Sequence, residues 1–416
     1  MQSIPGSSSF ERWLLRKILR AIGDAPVCLV LGDGVGISPP GSSPVATITI
    51  RNRSALPGLV LNPEVGFGDA YMNGHIELHG NLVEFLETVY RSWSYTGGGF
   101  SFRKLIPRWI ARFAANTPRR SRSNVHHHYD LNTEFYQRWL DRQLVYTCGY
   151  FPTPSATLEE AQIAKMEHVC RKLQLQPGET VVEAGCGWGS LALHMARNYG
   201  VRVKAFNLSH EQIVYARQSA RQQGLSGEVE FIEDDYRNIR GRFDVFASVG
   251  MLEHVGTSHY PDLGRVIHGS IGSAGRGLLH FIGRNRPAPL SAWITKRIFP
   301  GGYAPALGEV AEIFEPWNFS IYDVENLRLH YAKTLEHWLA RFEGSAQQIS
   351  SMFDARFVRA WRLYLAGSLA AFRTGTLQLF QLVFAGPDCR RIPWTRAHLH
   401  QEPLGQREPK WIHSMS

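Results

Sequence analysis

The segment Thr180-Val-Val-Glu183-Ala-Gly185-Cys-Gly187-Trp-Gly189 decides how the larger part of this protein folds. It opens with an apolar run typical of a buried β-strand, passes through a glycine-rich loop and leads into the helical pattern SLALHMARNYG. Strand-like runs follow, separated by helical segments: VRVKAF, VEFIED, FDVFASVGM and GLLHFIG. This βαβ alternation predicts a parallel sheet with helices on both faces, and therefore a Rossmann-like α/β domain.

The glycine-rich loop has three interpretations: a tight turn without a ligand, a dinucleotide site, or a site for another cofactor. A dinucleotide site requires the third glycine one position later and an acidic residue about 20 residues on. Here Ser190 occupies that glycine position and Asn207 ends the second strand. The spacing, with Glu183 before it, resembles the first motif of class I methyltransferases, which bind S-adenosylmethionine. Asp235-Tyr236 stands where that class contacts the adenine.

Length, charge and cysteine content restrict the class of protein further. A length of 416 residues suits two domains, and the net charge of +9 favours an anionic partner such as nucleic acid, an acidic membrane face or a charged metabolite. The five cysteines form no CxxC pair, which argues against a disulfide framework or a zinc site and indicates a reducing compartment. No run of about 18 apolar residues occurs in the sequence, so we expect no membrane span.

Three regions are predicted along the sequence. Residues 1–100 combine short strands with helices and are expected to form a small α+β domain for lipid docking or dimerisation. Residues 101–123 form a basic linker, and residues 124–400 form the catalytic domain. Residues 10–22, FERWLLRKILRAI, have the pattern of a basic amphipathic helix, which either packs on its own domain or lies on a membrane. The arginines of this helix interrupt its apolar residues, a pattern unlike that of a signal peptide.

Seven motifs in order between about residues 126 and 385 resemble the cyclopropane-fatty-acyl-phospholipid synthase family, which is related to the mycolic acid cyclopropane synthases. They are His128-Tyr-Asp-Leu131, Tyr146-Thr-Cys148-Gly-Tyr-Phe151, Gly185-Cys-Gly-Trp-Gly189, Leu208-Ser-His-Glu-Gln212, Asp235-Tyr-Arg237, Gly250-Met-Leu-Glu-His-Val-Gly256 and Ile298-Phe-Pro-Gly-Gly302. Two departures are mild: Tyr146-Thr-Cys replaces the more usual Tyr-Ser-Cys, and Asn207-Leu-Ser often reads Thr-Ile-Ser or Thr-Leu-Ser. They do not change the assignment to S-adenosylmethionine-dependent methyltransferases, but they bear on which substrate is used.

The resemblance implies two groups of site residues. One group would hold a bicarbonate ion as the catalytic base: Cys148, Glu253, His280, Ile282 and Tyr331. The other would bind S-adenosylmethionine: Tyr146, Thr147, Glu183, Gly185, Gly187, Gly189, Asn207, Gln212, Asp235 and Tyr236. No metal is expected, because adjacent side chains diverge in the run His126-His127-His128 and no set of Cys or acidic ligands accompanies it.

The residues by themselves allow plainer roles. Glu253 could cap a loop, His280 could be a core histidine, and Tyr331 could pack a helix; the family pattern favours the catalytic roles. Cys148 is interpreted as a pocket residue and not a nucleophile, because no step of the reaction requires a thiolate.

The expected function is a cyclopropane-fatty-acyl-phospholipid synthase that methylates a cis double bond and closes a ring with help from bicarbonate. A C-methyltransferase of acyl chains that leaves a methyl or methylene branch is the alternative within the class. The sequence does not contain the Asp/Asn-Pro-Pro-aromatic motif of methyltransferases that act on the base amino groups of nucleic acids. A non-catalytic lipid carrier would lack Glu253 or the cofactor-loop residues, and these are present. The expected partners are a bilayer with unsaturated acyl chains, preferably anionic, and a second copy in a homodimer, with no nucleic acid. The expected location is cytoplasmic, peripheral at the inner membrane face.

Overall fold

The structure is a computed structural model that describes residues 9–32, 34–95 and 132–400. The strands of these residues form two sheets, one of four strands and one of seven. The predicted basic linker at 101–123, the arginines within it and the run His126-His127-His128 lie outside the described residues. In the part described, no helix is both long enough and apolar enough to cross a membrane.

The smaller sheet lies in the N-terminal region and has the strand order β2-β1-β3-β4. Its strands are β1 (Cys28–Leu31), β2 (Val35–Ile37), β3 (Thr47–Ile50) and β4 (Ile76–His79). The helices of this region are α1 (Ser9–Ala21), α2 (Leu56–Leu61), α3 (Pro63–Met72) and α4 (Leu82–Tyr95). The helix predicted at 10–22 is therefore present, and so is the mixed α+β composition predicted for this region.

The larger sheet has the order β10-β11-β9-β8-β5-β6-β7. Its strands are β5 (Thr180–Ala184), β6 (Arg202–Asn207), β7 (Val229–Glu233), β8 (Val245–Val249), β9 (Arg276–Gly283), β10 (Ser320–Asn326) and β11 (Gln378–Ala385). The pairs among β5 to β9 are parallel, which confirms the predicted Rossmann-like α/β fold. The prediction of a parallel sheet was incomplete, because β11 pairs antiparallel with both β9 and β10.

Helices cover this sheet, and their starts follow local sequence signals. They are α5 (Thr133–Gln137), α6 (Leu158–Leu173), α7 (Ser190–Tyr199), α8 (His210–Gln222), α9 (Tyr260–Ile271), α10 (Ala292–Arg297), α11 (Leu307–Ala311), α12 (Arg328–Gly344), α13 (Ala346–Met352) and α14 (Ala355–Thr374). The backbone N–H of Thr157 donates to Glu160 Oε2 at 2.8 Å, and the Glu160 N–H donates to Thr157 Oγ1 at 3.3 Å. This reciprocal pair is the capping box that the spacing Thr157-x-x-Glu160 predicts at the start of α6.

The N-terminal region packs on the long helix α14 of the larger part. Buried apolar side chains of α1, α4 and α14 belong to one continuous cluster. Arg359 of α14 donates from Nε to the carbonyl of Tyr71 at 2.5 Å and from Nη2 to the carbonyl of Ile76 at 2.9 Å. The two regions therefore share a core, and the predicted domain limits of 1–100, 101–123 and 124–400 stay a prediction.

Candidate active site

The glycine-rich loop lies at the carboxyl end of β5, where open α/β sheets bind their ligands. The backbone N–H groups of Gly185 and Cys186 donate to the carbonyl of Phe206 in β6, at 2.9 and 3.1 Å. Gly187 has φ +55°, and a Cβ atom built on it would meet nothing within 4 Å. The space beside Gly187 is therefore open, and Gly187 borders a pocket formed by the ends of neighbouring strands.

Nine of the ten predicted cofactor residues line this pocket. They are Tyr146, Thr147, Glu183, Gly185, Gly187, Asn207, Gln212, Asp235 and Tyr236. Gly189 does not belong to the lining, because it starts α7 at φ +86°, with its Cβ position 2.6 Å from the ring of Phe231. Its place in the structure is a close contact between α7 and the sheet. Binding of a cofactor by the nine residues stays a prediction.

Hydrogen bonds organise the polar rim of the pocket. Asn207 Nδ2 donates to the carbonyl of Gly187 at 3.2 Å and to Gln212 Oε1 at 2.7 Å, so the amide joins the glycine loop to α8. Asp235 Oδ2 forms an ion pair with Arg237 at 2.9 Å. Burial raises the pKa of the Tyr236 hydroxyl to about 12, so this group is neutral at physiological pH.

Two charged groups of opposite sign are buried in the pocket wall. Glu183 is 2% exposed, and its Oε2 makes no hydrogen bond with any residue that the structure describes. Burial raises the pKa of Glu183 to about 7, although the charge of Lys165 opposes this shift. Lys165 is also 2% exposed, and burial lowers the pKa of its ammonium group to about 8. Burial therefore moves the pKa values of both groups toward neutral pH.

Helix α6 holds the loop that carries Tyr146, Thr147 and Cys148. Gln162 donates from Nε2 to the carbonyl of Thr147 at 2.8 Å, and Lys165 donates from Nζ to Thr147 Oγ1 at 3.0 Å. Our sequence reasoning missed both residues. Their signal was available, because Gln162 and Lys165 are polar residues spaced i, i+3 among apolar residues with helical periodicity.

Two of the residues predicted to hold bicarbonate meet at the end of β9. Glu253 Oε1 accepts a hydrogen bond from the backbone N–H of Ile282 at 2.6 Å. Burial raises the pKa of the Glu253 carboxyl to about 7, against the effect of the hydrogen bond from Ile282. The backbone N–H of Gly250, three residues before Glu253, donates to the carbonyl of His280 at 2.8 Å. The segment that carries Glu253 is thus attached to the strand that carries His280 and Ile282.

The antiparallel strand β11 orients His280. Nδ1 of His280 lies 3.1 Å from Nε2 of Gln381, the residue opposite it in the strand register. The Gln381 amide nitrogen can donate to the tautomer whose Nδ1 is unprotonated, and in that tautomer Nε2 carries the ring hydrogen. Burial lowers the pKa of His280 well below its ordinary value, so the ring is neutral. Gln381 is a further residue that our sequence reasoning missed, because strand register is not visible in the sequence.

Of the other two predicted residues, Tyr331 lies in α12 and Cys148 lies against this helix. Leu327, just before α12, donates from its backbone N–H to the carbonyl of Leu379, which lies opposite Ile282 in the sheet. Tyr331 follows one helical turn later, and its ring lies 4.5 Å from that of Phe372, centroid to centroid. Another turn along, Thr334 Oγ1 lies 4.0 Å from Cys148 Sγ.

Burial of Cys148 raises the pKa of its thiol well above the ordinary value, which argues against a nucleophilic role. Cys148 does not belong to the lining of the cofactor pocket, so its interpretation as a pocket residue stays a prediction.

Two buried polar atoms of this second group have the hydrogen-bonding chemistry that a small oxyanion with one hydroxyl requires. Glu253 Oε2 and His280 Nε2 are both buried and make no hydrogen bond with any described residue. The carboxylate oxygen can accept from the hydroxyl of bicarbonate, and the ring N–H can donate to its charged oxygen. Among the residues described, no cluster of His, Cys, Asp and Glu could hold a metal ion.

Comparison with known proteins agrees with this geometry. Residues 116–382 match the family described as mycolic acid cyclopropane synthetase, and residues 14–96 match a domain of unknown function. The cyclopropane-fatty-acyl-phospholipid synthase of Escherichia coli K12 is 35% identical over 352 residues, which are 84% of this chain and 90% of that protein. A probable fatty acid methyltransferase of Pseudomonas putida is 33% identical over 90% of this chain and 96% of that protein.

Solved structures agree as well. The mycolic acid cyclopropane synthase CmaA1, complexed with SAH and CTAB, matches with a TM-score of 0.60 and 30% identity, over 63% of this chain and 97% of that protein. The protein therefore belongs to the mycolic acid cyclopropane synthetase family, a family of S-adenosylmethionine-dependent methyltransferases with the class I fold.

Proposed function

We propose that this protein is a cyclopropane-fatty-acyl-phospholipid synthase. It transfers a methyl group from S-adenosylmethionine to the cis double bond of an unsaturated phospholipid acyl chain, and the ring closes as bicarbonate removes a proton. The observation that carries this proposal is that two buried atoms, Glu253 Oε2 and His280 Nε2, make no hydrogen bond with any described residue. Among relatives, the Escherichia coli enzyme with this name supports the choice of substrate.

The residues of the protein divide the chemical work. S-Adenosylmethionine supplies an electrophilic methyl group when bound, and bicarbonate supplies a base. Glu253 and His280 would hold the base, with Glu253 itself held by the backbone of Ile282. The nine pocket residues would hold the methyl donor so that its methyl group faces the acyl chain.

Aromatic side chains keep water from the reacting carbons, since water would trap the cation formed by methyl transfer. The ring of Tyr146 lies against the rings of Tyr136, Trp139 and Trp338, at centroid distances of 5.5, 5.2 and 5.4 Å. Its hydroxyl forms a hydrogen bond of 2.8 Å with the hydroxyl of Tyr364. Tyr146 also lines the cofactor pocket, so the aromatic cluster reaches that pocket.

A second candidate is a C-methyltransferase of acyl chains that leaves a methyl or methylene branch. It is favoured by the Pseudomonas putida relative, whose name is probable fatty acid methyltransferase. Both reactions begin with the same methyl transfer and differ in how the cation loses its proton. The protein should be expressed in a host that lacks both activities, and its fatty-acid methyl esters analysed by gas chromatography and mass spectrometry. A cyclopropane ring supports the synthase, and a methyl or methylene branch supports the second candidate.

Substitution of the carboxyl group tests the role of Glu253. We expect Glu253→Gln to lose most of the turnover, roughly 10²-fold or more, because general-base assistance contributes factors of this size. Affinity for S-adenosylmethionine, measured by calorimetry, should not change. Bicarbonate-depleted buffer should slow the wild type reversibly. The exposed Glu230, changed to Gln, is the matched control and should keep full activity.

Wild-type turnover in Glu253→Gln, together with indifference to bicarbonate, would assign the base to another group. The homodimer and the location at the inner membrane face stay proposals.

A further inference from the structure

The outward side of α1 combines cations with exposed aromatic rings. The helical spacing of Phe10, Trp13, Leu14 and Ile18 predicts one apolar face that contains all four. In the structure, the buried side chains of α1 are those of Leu15, Ile18, Leu19 and Ala21. Phe10 is 64% exposed and Trp13 is 47% exposed. Packing on the protein's own core therefore accounts for the aliphatic side chains of α1 and not for the two aromatic ones.

Trp13 is exposed because it lies on the side of α1 that faces away from the core. At 100° per residue, Trp13 lies nearly opposite the buried stripe centred on Ile18. The cations of the helix surround it, and all four are exposed: Arg12, Arg16, Lys17 and Arg20. The rings of Phe10 and Trp13 stack at a centroid distance of 5.7 Å, and Lys17 Nζ lies 4.1 Å from the Trp13 ring centroid. The outward side is thus an aromatic pair within a ring of positive charge.

Helix α1 carries four cations and one carboxylate, so its net charge is positive. Glu11 is the one carboxylate within Ser9–Ala21, and its Oε1 accepts a hydrogen bond of 2.8 Å from Nε of Arg53, which precedes the neighbouring helix α2. Helix α2 contacts α1 and ends at Leu61, which is 82% exposed. Cations around exposed apolar side chains are complementary to an anionic bilayer, in which the charges meet the headgroups and the rings enter the interface.

We propose that the outward side of α1, formed by Phe10, Arg12, Trp13, Arg16, Lys17 and Arg20, docks the protein on an anionic lipid bilayer. The need for a bilayer follows from the proposed function. The position of the docking surface follows from the geometry of α1. An acyl double bond lies below the headgroups, so an enzyme that modifies it has to stay at the interface. The N-terminal region, which carries α1, is attached to the larger part through the core of α14.

Liposome flotation of the full-length protein tests the docking surface. The vesicles are phosphatidylcholine with and without phosphatidylglycerol. We expect binding to require phosphatidylglycerol and to fall as salt increases. Each cation near an anionic surface is worth about fivefold in affinity, so changing Arg12, Arg16, Lys17 and Arg20 together to Gln should weaken binding by roughly a hundredfold or more. Single changes should weaken it by only about fivefold.

A matched control removes the same charge elsewhere. Four exposed cations outside α1 are changed to Gln: Arg202, Lys204, Arg221 and Arg356. This variant should bind almost as the wild type does, because charge is removed away from the docking surface. The variant with Phe10→Ser and Trp13→Ser keeps all four cations, so it should still bind at low salt. As the salt concentration is raised, it should detach from the vesicles before the wild type does. Both aromatic side chains are exposed, so these changes leave the core intact.

Three outcomes would overturn the proposal: equal binding to neutral and anionic vesicles, equal loss in both fourfold variants, or displacement from vesicles by short DNA at equimolar phosphate. Activity separates this proposal from the proposed function. On detergent-dispersed unsaturated phospholipid, the fourfold variant of α1 should turn over like the wild type, and on anionic vesicles it should be slower. If the wild type modifies no lipid in either form, the proposed function fails while the flotation result still decides the docking surface.

Discussion

Gly187 tests the cofactor pocket at the scale of one residue. Gly187→Val should abolish binding of S-adenosylmethionine, because its side chain would enter the open space of the pocket and its φ of +55° disfavours a β-branched residue. Calorimetry measures the loss. Gly178→Val is the matched control, because Gly178 also has a positive φ, +85°, with nothing within 4 Å of its Cβ position, but it lies outside the pocket lining.

The control should lose stability and keep its cofactor affinity. Unchanged affinity in Gly187→Val, or a preference of the wild type for NAD, would contradict the assignment of this pocket.

At the scale of elements, α3 and α10 meet where the N-terminal region touches the segment that leads to the active site. The Asp69 carboxylate of α3 accepts hydrogen bonds from Arg297 Nε and Nη2, at 3.0 and 2.9 Å, and from Trp293 Nε1 at 3.2 Å. A Cβ at Gly68 would lie 2.3 Å from the Trp293 ring, so the two helices are in direct contact.

Helix α10 continues into residues that contact the site. The ring of Phe299 lies 5.5 Å from that of Tyr364, the partner of Tyr146, measured between centroids. The backbone N–H of Tyr303 donates to the carbonyl of Glu253 at 2.9 Å. We therefore expect Asp69 to act as a positioning residue, whose effect reaches the site through α10.

Loosening this contact should slow the reaction without affecting the methyl donor. We expect Asp69→Asn to lower kcat by about tenfold, because small displacements of a catalytic group are costly, while KM for S-adenosylmethionine is unchanged. The exchange of Asp69→Arg with Arg297→Asp should restore part of kcat. Glu77→Gln is the control, since Glu77 pairs with Arg51 inside the small sheet. Equal kcat in Asp69→Asn and the control, or a change confined to the cofactor KM, would refute this role.

At the scale of the whole molecule, the active site costs stability. Burial raises the pKa of Glu183 and of Glu253 from 4.5 to about 7 in the folded protein, so the folded state binds these two protons more tightly than the unfolded state. Their contribution to the free energy of unfolding is present below about pH 4.5 and is lost as the pH rises to about 7.

The variant Glu183→Gln with Glu253→Gln should therefore unfold at a higher temperature than the wild type at pH 8, and the difference should shrink at pH 5. Calorimetric melts at the two pH values measure it. The exposed pair Glu211→Gln with Glu230→Gln serves as the control and should show no such pH dependence. A wild type that is more stable at pH 8 than the double variant would show that the two carboxyls are not buried at a cost.

The sequence by itself determined the parallel part of the large sheet, the glycine loop and the capping box of Thr157 and Glu160. Each of these depends on residues that are close in sequence, so hydrophobic periodicity, backbone freedom and side-chain capping are visible locally. The nine residues that line the pocket were also named from the sequence, through the motifs that resemble the family.

Three features are visible only in the tertiary structure. They are the antiparallel pairing of β10 and β11, the contact of His280 with Gln381 and the hydrogen bond from Lys165 to Thr147. His280 and Gln381 are 101 positions apart, and no local preference specifies the strand register that joins them. The same holds for α1, whose periodicity showed an amphipathic helix but not which side the core covers. Phe10 and Trp13 stay exposed because the core buries Leu15, Ile18 and Leu19 on the other side of the helix. Burial is a property of the packed molecule, because it depends on which distant surfaces reach the same helix.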